Sequence, residues 1–302
     1  MKYRLKAYSI LEYGRRKDSS GQPHQEDCIY PEIGKLSDSD RTFILCDGMG
    51  GHDAGEVASD TVCEAISRSL LDGGHDKDGV FSEEDFSAAL EAAFDALDVK
   101  DTHAAKKMGT TLAFLRLHDE GAFIAHIGDS RVYHIRPGKT GKDTVILHET
   151  SDHSLVNELV KAGELTQEEA RSSGQKNVLT RAMQPNTANR PNADVYTTSD
   201  IRAGDYFYMC SDGMLEQADM DCGASLRNIF SEEGGKASDK VKILRRVTER
   251  NKDNHSAFVI YIEEVLKDGT QGMDQSTIGP ESGGAVRSRV IIFWVAAIVS
   301  AI

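Results

Sequence analysis

Positive charge is scarce in this chain. It has 35 Lys and Arg against 49 Asp and Glu, and its formal charge of −14 excludes a nucleic-acid binder, which needs a basic footprint. Cysteine is scarce as well. Cys28, Cys46, Cys63, Cys210 and Cys222 are odd in number, scattered, and form no Cys-x-x-Cys pair. They read as reduced, mostly buried thiols of a cytoplasmic chain, and no Cys/His set suits Zn²⁺. Behind the charges of Met1-Lys2-Tyr3-Arg4-Leu5-Lys6 there is no apolar stretch, so no signal peptide is expected. No internal repeat is present. A P-loop is excluded because Gly138-Lys139-Thr140 lacks the earlier glycine, position 133 being Tyr.

What is there begins with 302 residues at 39% hydrophobic content, enough for one large core or two modest ones. Strand-like runs and helix-like stripes are segregated instead of strictly alternating, which favours an α+β fold over a doubly wound parallel sheet. The stretch up to Ile10 reads as a strand, and Gly14 to Gln25 as irregular chain. Thr42–Cys46 reads as a strand leading into a glycine-rich loop. Ala58, Val62, Ala65, Ile66, Ser69 and Leu70 then keep helical spacing. A second helix opens on the capping-box pattern Ser82-Glu83-Glu84-Asp85 and carries the stripe Phe86, Leu90, Ala93, Phe94, Leu97. Thr110–Leu117, Ala122–Ile127, Arg131–Ile135 and Thr144–Leu147 form a meander. Ser154 to Ser172 is polar and helical, with Thr166 capping toward Glu169. Val195–Thr198 and Asp205–Cys210 are strands. Ser238–Asn251 is a helix with Val241, Leu244 and Val247 facing inward, and Ala257–Ile262 is the closing strand.

The end of the chain differs in composition. Val290 to Ile302 contains no charge and follows Arg287 and Arg289, while Lys267 to Ser288 is Gly/Ser-rich. As a helix the apolar run would span ~20 Å, short of the ~30 Å hydrocarbon core. The expected organisation is a folded domain over 1–266, a flexible linker over 267–289 and a hydrophobic tail over 290–302. That tail reads as a truncated membrane segment or weak anchor that holds the domain on the cytoplasmic face.

Four aspartates sit where an apolar run stops or starts. Phe43-Ile44-Leu45-Cys46 runs into Asp47-Gly48, Tyr206 to Cys210 into Ser211-Asp212-Gly213, and Phe123 to Ile127 into Gly128-Asp129-Ser130. Asp253-Asn254 comes just before Ala257 to Tyr261. Glu26-Asp27 supplies further carboxylates. Strand ends are stiff, and carboxylates that converge from them repel unless something positive sits between them. Oxygen-only donors favour Mg²⁺ or Mn²⁺. Two such ions ~4 Å apart activate a water against phosphorus. Asp-Gly and Gly-Asp are also ordinary turn pairs, and spacing alone does not prove convergence.

Eight motifs then occur in one order: Gln25-Glu26-Asp27, Asp47-Gly48-Met49-Gly50-Gly51, Met108-Gly109-Thr110-Thr111, Ile127-Gly128-Asp129-Ser130-Arg131, Asp152-His153-Ser154-Leu155, Leu179-Thr180-Arg181-Ala182, Cys210-Ser211-Asp212-Gly213 and Asp253-Asn254. As a set they resemble the metal-dependent Ser/Thr protein phosphatases of the phosphatase 2C (PPM) type in their bacterial form, over about residues 1–265. The resemblance implies an α-β-β-α sandwich of two antiparallel sheets flanked by helices. It implies that Asp47 bridges two ions, that Gly48 contributes its carbonyl, and that Asp212 and Asp253 complete the first site while Asp27 holds the second through water. Asp129, with Asp212, would bind a third, weaker ion, and Asn157 to Gln175 would be the flap beside the cleft. The implied substrates are phosphoserine and phosphothreonine proteins, a Ser/Thr kinase or its substrates, and a monomer is expected.

Three departures stand out. Where the family places a phosphate-gripping Arg, five residues before Asp27, this chain has Gln22. Arg16 is the candidate replacement, with Arg15 or Lys17 as alternatives, since a guanidinium suits forked contact with phosphate oxygens. The three could equally be a solvated basic cluster. Met49 stands where some members have His, and Ser256 where Thr is common. A Cys-nucleophile phosphatase needs an Arg six residues on, where Cys46 has His52 and Cys210 has Glu216. A haloacid-type enzyme needs a second Asp at position 49. His52 reads equally as a cleft or a surface residue, and His126, His134 and His153 as structural. The remaining alternative is a catalytically weak phosphoprotein-binding scaffold of the same fold, tethered to a membrane.

Overall fold

The apolar runs form two antiparallel sheets. The computed structural model describes residues 2–15, 17, 21–50, 53–74, 79–101, 107–217 and 224–266. Arg16, His52, Cys222, the linker over 267–289 and the tail over 290–302 lie outside the described residues. In the first sheet β1 (Lys2–Glu12), β11 (His255–Leu266), β10 (Tyr206–Cys210), β7 (Arg131–Arg136) and β8 (Val145–Glu149) lie side by side in that order. In the second the order is β2 (Asp27–Tyr30), β3 (Thr42–Met49), β5 (Leu112–His118), β6 (Gly121–Ile127) and β9 (Asp194–Thr198). The short β4 (Gly109–Thr110) pairs with the end of β3.

Alternate side chains of each strand enter different cores. Phe43 and Leu45 of β3, with Ala113, Leu115 and Leu117 of β5, point into the space between the sheets and meet Phe207, Met209, Phe258 and Ile260. Ile44, Cys46, Phe114 and Phe123 point the other way, against α1 (Asp53–Asp72) and α2 (Glu83–Lys100). On the outer face of the first sheet Tyr206, Tyr208, Cys210 and Val259 meet α5 (Ala224–Phe230) and α6 (Ala237–Thr248). The layers therefore run helix, sheet, sheet, helix. Because both faces of each sheet are covered, the central strands are buried along their whole length and are mostly apolar, β10 without interruption and β5 and β6 with Arg116, His118 and His126 as buried polar members.

Several expectations need correction. β3 does not stop at Cys46 but continues through Asp47-Gly48-Met49, because β4 offers it a partner. The strand predicted over Thr110–Leu117 is broken at Thr111. Val247 does not face inward: it is 36% exposed, while Thr248 and Lys240 are buried beside Val241 and Leu244. Lys240 tolerates burial because its ammonium donates to Ser231 O (2.7 Å) and Gly235 O (2.8 Å) and lies over the Tyr206 ring. The capping boxes at Ser82–Asp85 and Thr166–Glu169 form as expected. The polar stretch after Ser154 becomes two short helices, α3 (Leu155–Lys161) and α4 (Gln167–Ser172), on an excursion between the edge strands β8 and β9. Among the described residues no helix is long and apolar enough to cross a membrane.

The two edge strands meet through His148 of β8, which stacks flat on Tyr196 of β9 at 3.7 Å. Burial, with His126 and His134 nearby, pushes the His148 imidazole down to about 4. The folded state therefore disfavours the charged ring, and its contribution is present above the ordinary histidine value of 6.5 and lost as pH falls from 6.5 toward 4. Thermal melting across pH 7 to 4 should show His148→Phe losing less stability on acidification than the wild-type protein. Parallel curves would contradict the assignment.

Candidate active site

Five aspartates converge at one end of the sandwich, each delivered by a different piece of backbone. Asp27 and Asp47 face each other as partners in the β2–β3 ladder. Asp129 follows the turn that ends β6, Asp212 follows β10, and Asp253 precedes β11. Asp47 is influenced by the charges of Asp27, Asp212, Asp129 and Asp253 together, so all five lie within electrostatic reach. The Asp47 and Asp212 carboxyls are close enough to share a hydrogen bond.

Crowding and burial act in the same direction on these groups. Burial first, then the neighbouring carboxylates, pushes Asp47 well above the usual range. Burial and Asp212 do the same to Asp129. Asp212 is pushed up to about 6 by burial and Asp253. Asp27, 5% exposed, is pushed up to about 7 by burial, although hydroxyl groups from Ser256 (2.6 Å) and Ser211 (3.0 Å) donate to its carboxylate and oppose the shift. These are directions for carboxylates with no counter-charge. A donor set made only of oxygens, so crowded that its members cling to protons, fits hard divalent cations. Asp27, Asp47, Asp129, Asp212 and Asp253 would hold them.

The backbone around each aspartate is fixed by residues whose roles spacing does not reveal. The Asp47 amide donates to Thr111 Oγ1 (3.0 Å), and its carbonyl accepts from Thr111 N and Thr110 Oγ1 (both 2.9 Å). Thr111 Oγ1 also meets Ser130 Oγ at 2.7 Å, which ties the Asp47 strand to the Asp129 turn. Gly48 admits no side chain, since a Cβ would stand 2.2 Å from Gly55 O and 2.6 Å from Glu26 O. Its smallness is thus explained by packing, apart from any carbonyl contact to an ion. Gly128 adopts φ +103° to make the turn into Asp129. Asn254 accepts from Glu26 N (3.0 Å) and donates to His24 O (2.8 Å), clamping the segment that carries Asp27. The Glu216 carboxylate accepts the amides of Lys252 (2.9 Å) and Asp253 (2.8 Å) and so aims Asp253. Thr111 and Ser211 stand inside the quoted motifs and Ser256 where Thr is common, but the hydrogen bonds they make, like those of Glu216, follow only from the fold.

Arg16 lies outside the described residues. Its neighbour Arg15 is exposed, and the Arg15 amide donates to Asn251 O (3.1 Å), while Gly14 is packed against the Asp253 carbonyl. Gly14 and Arg15 thus lie against the loop that carries Asp253. Lys17 pairs with Pro23 in an isolated bridge.

A tighter cluster of ligand-type atoms lies nearby: His126, His153 and Asp194 bring theirs within 4.8 Å of one another. The chemistry argues against a metal there. The two imidazoles stack at 4.5 Å and 17°, so their lone pairs run side by side and do not converge. His153 Nδ1 accepts the Gly128 amide (3.1 Å), which leaves the proton on Nε2, facing Asp194 at 3.1 Å. His126 Nε2 donates to Ser151 O. The Arg181 guanidinium, 2.7 Å from Asp194 and 3.3 Å from His153 Nε2, supplies the positive charge. The group is a hydrogen-bonded bracket that holds Gly128 and hence the approach to Asp129.

A family model for protein phosphatase 2C matches residues 13–255. The chain belongs to the protein phosphatase 2C family. Membership makes it a protein-serine/threonine phosphatase of the bacterial PPM type. Among its relatives, protein phosphatase PhpP of Streptococcus pneumoniae is 38% identical over 190 residues, 63% of this chain and 72% of that protein. Serine/threonine protein phosphatase PstP of Mycobacterium tuberculosis is 32% identical over 208 residues, 68% of this chain and 37% of that protein. The crystal structure of the M. tuberculosis phosphatase PstP/Ppp superposes with a TM-score of 0.67 at 27% identity, covering 86% of this chain and 99% of that one. The PstP catalytic domain in complex with two manganese ions gives 0.63 at 25% identity, covering 86% and 99%.

If the crowded aspartates need a counter-charge, Mn²⁺ should raise the melting temperature of the metal-free protein. At a hundredfold excess over its dissociation constant a ligand adds about 2.7 kcal/mol, which is several degrees for a domain of this size. Asp212→Asn should melt higher than wild type without metal and gain less from Mn²⁺. A variant that melts lower and gains as much would contradict the reading.

Proposed function

We propose that the aspartate cluster is a dinuclear Mn²⁺ or Mg²⁺ centre that hydrolyses phosphoserine and phosphothreonine in proteins, with a third, weaker ion beside Asp129. When bound, the ions supply charge neutralisation and an activated water that attacks phosphorus directly, without a covalent enzyme intermediate. Asp47 would be shared between the two main ions, and Gly48 would offer its carbonyl. Asp212 and Asp253 complete one site, and Asp27, oriented by Ser211 and Ser256, serves the other. Arg16 grips the phosphate. The observation that carries this reading is the mutual crowding of five carboxylates from separate strands and loops.

The chain's own residues position and neutralise. The rigid ladder between β2 and β3 sets the Asp27–Asp47 separation, and the Thr111–Ser130 hydroxyl pair sets the relation of Asp47 to Asp129. Positioning and electrostatic stabilisation account for most of the rate in phosphoryl transfer. The scaffold alternative is disfavoured by the intact set of five aspartates.

Physiological substrates follow from the same reading: a Ser/Thr kinase or its targets, met by a monomer. The hydrophobic tail over 290–302 tethers the domain to the cytoplasmic face of a membrane through the linker over 267–289. A chain of residues 1–266 should keep Mn²⁺-dependent phosphatase activity and lose any partition into vesicles that the full chain shows. Loss of activity on removing the tail would contradict the domain boundary.

In assays of phosphate release from a phosphothreonine peptide, Asp212→Asn should lower kcat by about a thousandfold or more, as removal of a key charge-stabilising group does. Asp129→Asn should lose less, and recover at high Mn²⁺. Near-wild-type turnover in the first variant, or a metal-independent defect in the second, would contradict these roles.

A further inference from the structure

The cleft that opens from the aspartates has a volume of about 1020 Å³ and is lined by Asp129, Asp212 and Asp253 at its floor. Its other acidic lining groups are already engaged. The Asp152 carboxylate receives both arms of the Arg131 guanidinium (2.6 Å each), with Glu149 at 3.3 Å from the same group. Glu216 is held by the amides of Lys252 and Asp253. Five further cations line the rim: Lys161, Arg171 and Lys176 on the excursion that carries α3 and α4, and Arg227 and Lys252 on the opposite wall. All five side chains belong to exposed residues.

The excursion divides its charges. Glu158, Glu164, Glu168 and Glu169 are on the same segment, yet none of them lines the cleft. Glu169 is turned back onto the Thr166 cap (2.7 and 2.8 Å). Glu158 meets Lys161 at 3.5 Å along α3, an exposed i,i+3 pair, without lining the cleft itself. A chain of formal charge −14 thus places five exposed cations around the mouth of its candidate active site.

We infer that this rim selects phosphoprotein segments that carry acidic residues, or a second phosphate, beside the phosphorylated side chain. The inference rests on the phosphatase reading for the chemistry at the cleft floor, and adds to it the sequence class that the walls accept. Lys161, Arg171 and Lys176 are specificity-determining residues on one wall. Arg227 and Lys252 complete the field from the other. None is needed for hydrolysis of a small monoester, which does not reach the rim.

The test compares phosphothreonine peptides of equal length whose flanking residues are glutamate, alanine or lysine, with p-nitrophenyl phosphate as the small substrate. Each exposed ion pair is worth a factor of a few, so the acidic peptide should exceed the neutral one by about tenfold in kcat/KM at low salt. The gap should shrink at 0.5 M salt, where the screening length is only a few ångströms. The triple variant K161E/R171E/K176E should lose or invert the preference while keeping the wild-type rate on p-nitrophenyl phosphate. Fluorescence anisotropy of the same labelled peptides on Asp212→Asn reads the preference without turnover. Equal kcat/KM for acidic and neutral peptides, or equal binding in the anisotropy series, overturns the inference. Absence of Mn²⁺-dependent release from every substrate, the small one included, instead overturns the phosphatase reading, and the binding series still decides the rim.

Discussion

Electrostatic repulsion among five carboxylates is the constraint around which this molecule is arranged. Bringing Asp27, Asp47, Asp129, Asp212 and Asp253 together costs free energy that only covalent connection and a well-packed scaffold can hold against them. The scaffold is the pair of sheets. Their shared core of Phe43, Leu45, Leu115, Phe207, Met209 and Phe258 fixes the strand ends from which the acids project. Hydroxyl and amide donors finish the alignment, and these reach between sheets: Ser211 and Ser256 from the first sheet both donate to Asp27 on the second. The same repulsion that costs stability in the absence of cations gives the cluster its affinity for them.

Much of this was legible in the sequence because strand ends and aspartates are both local signals. Runs such as Tyr206 to Cys210 are apolar without interruption since both faces of the sheet are covered, and the polar residue that ends such a run lies at the rim of the sandwich. The two capping boxes were equally local, and each formed where its residues stand. Order along the chain then tied the separate motifs to one family.

The parts that were not legible depend on contacts far apart in sequence. The strand Asp27–Tyr30 has four residues and no distinctive pattern; it exists because β3 lies beside it. The extension of β3 through Gly48 depends on β4, more than fifty residues later. Val247 has the right spacing for the inner face of α6, but the axis of that helix places Thr248 and Lys240 there, and both are satisfied by hydrogen bonds. Thr111 and Ser130 stand inside the motifs, but the hydrogen bonds by which they and Glu216 fix the aspartates join segments far apart in sequence and do not follow from spacing. Before Asp27 the chain departs from the family pattern, with Gln22 where a specific arginine is expected.

The arrangement also answers a problem posed by composition. A protein of formal charge −14 repels phosphorylated proteins at long range, and carboxylates crowd at the floor of its cleft. Cations held among the aspartates would neutralise the floor, but the reach of any charge through saline is limited to about 8 Å. A phosphate arriving from solution meets the walls before it meets the floor. The field it encounters there is set by Lys161, Arg171, Lys176, Arg227 and Lys252, because Glu149, Asp152 and Glu216 are turned to internal partners. Overall charge keeps the protein dispersed, while the wall charges decide which anions enter. Both properties come from one sequence because the fold gives Glu149, Asp152 and Glu216 guanidinium or amide partners on the walls, while Asp47, Asp129 and Asp212 crowd one another below them.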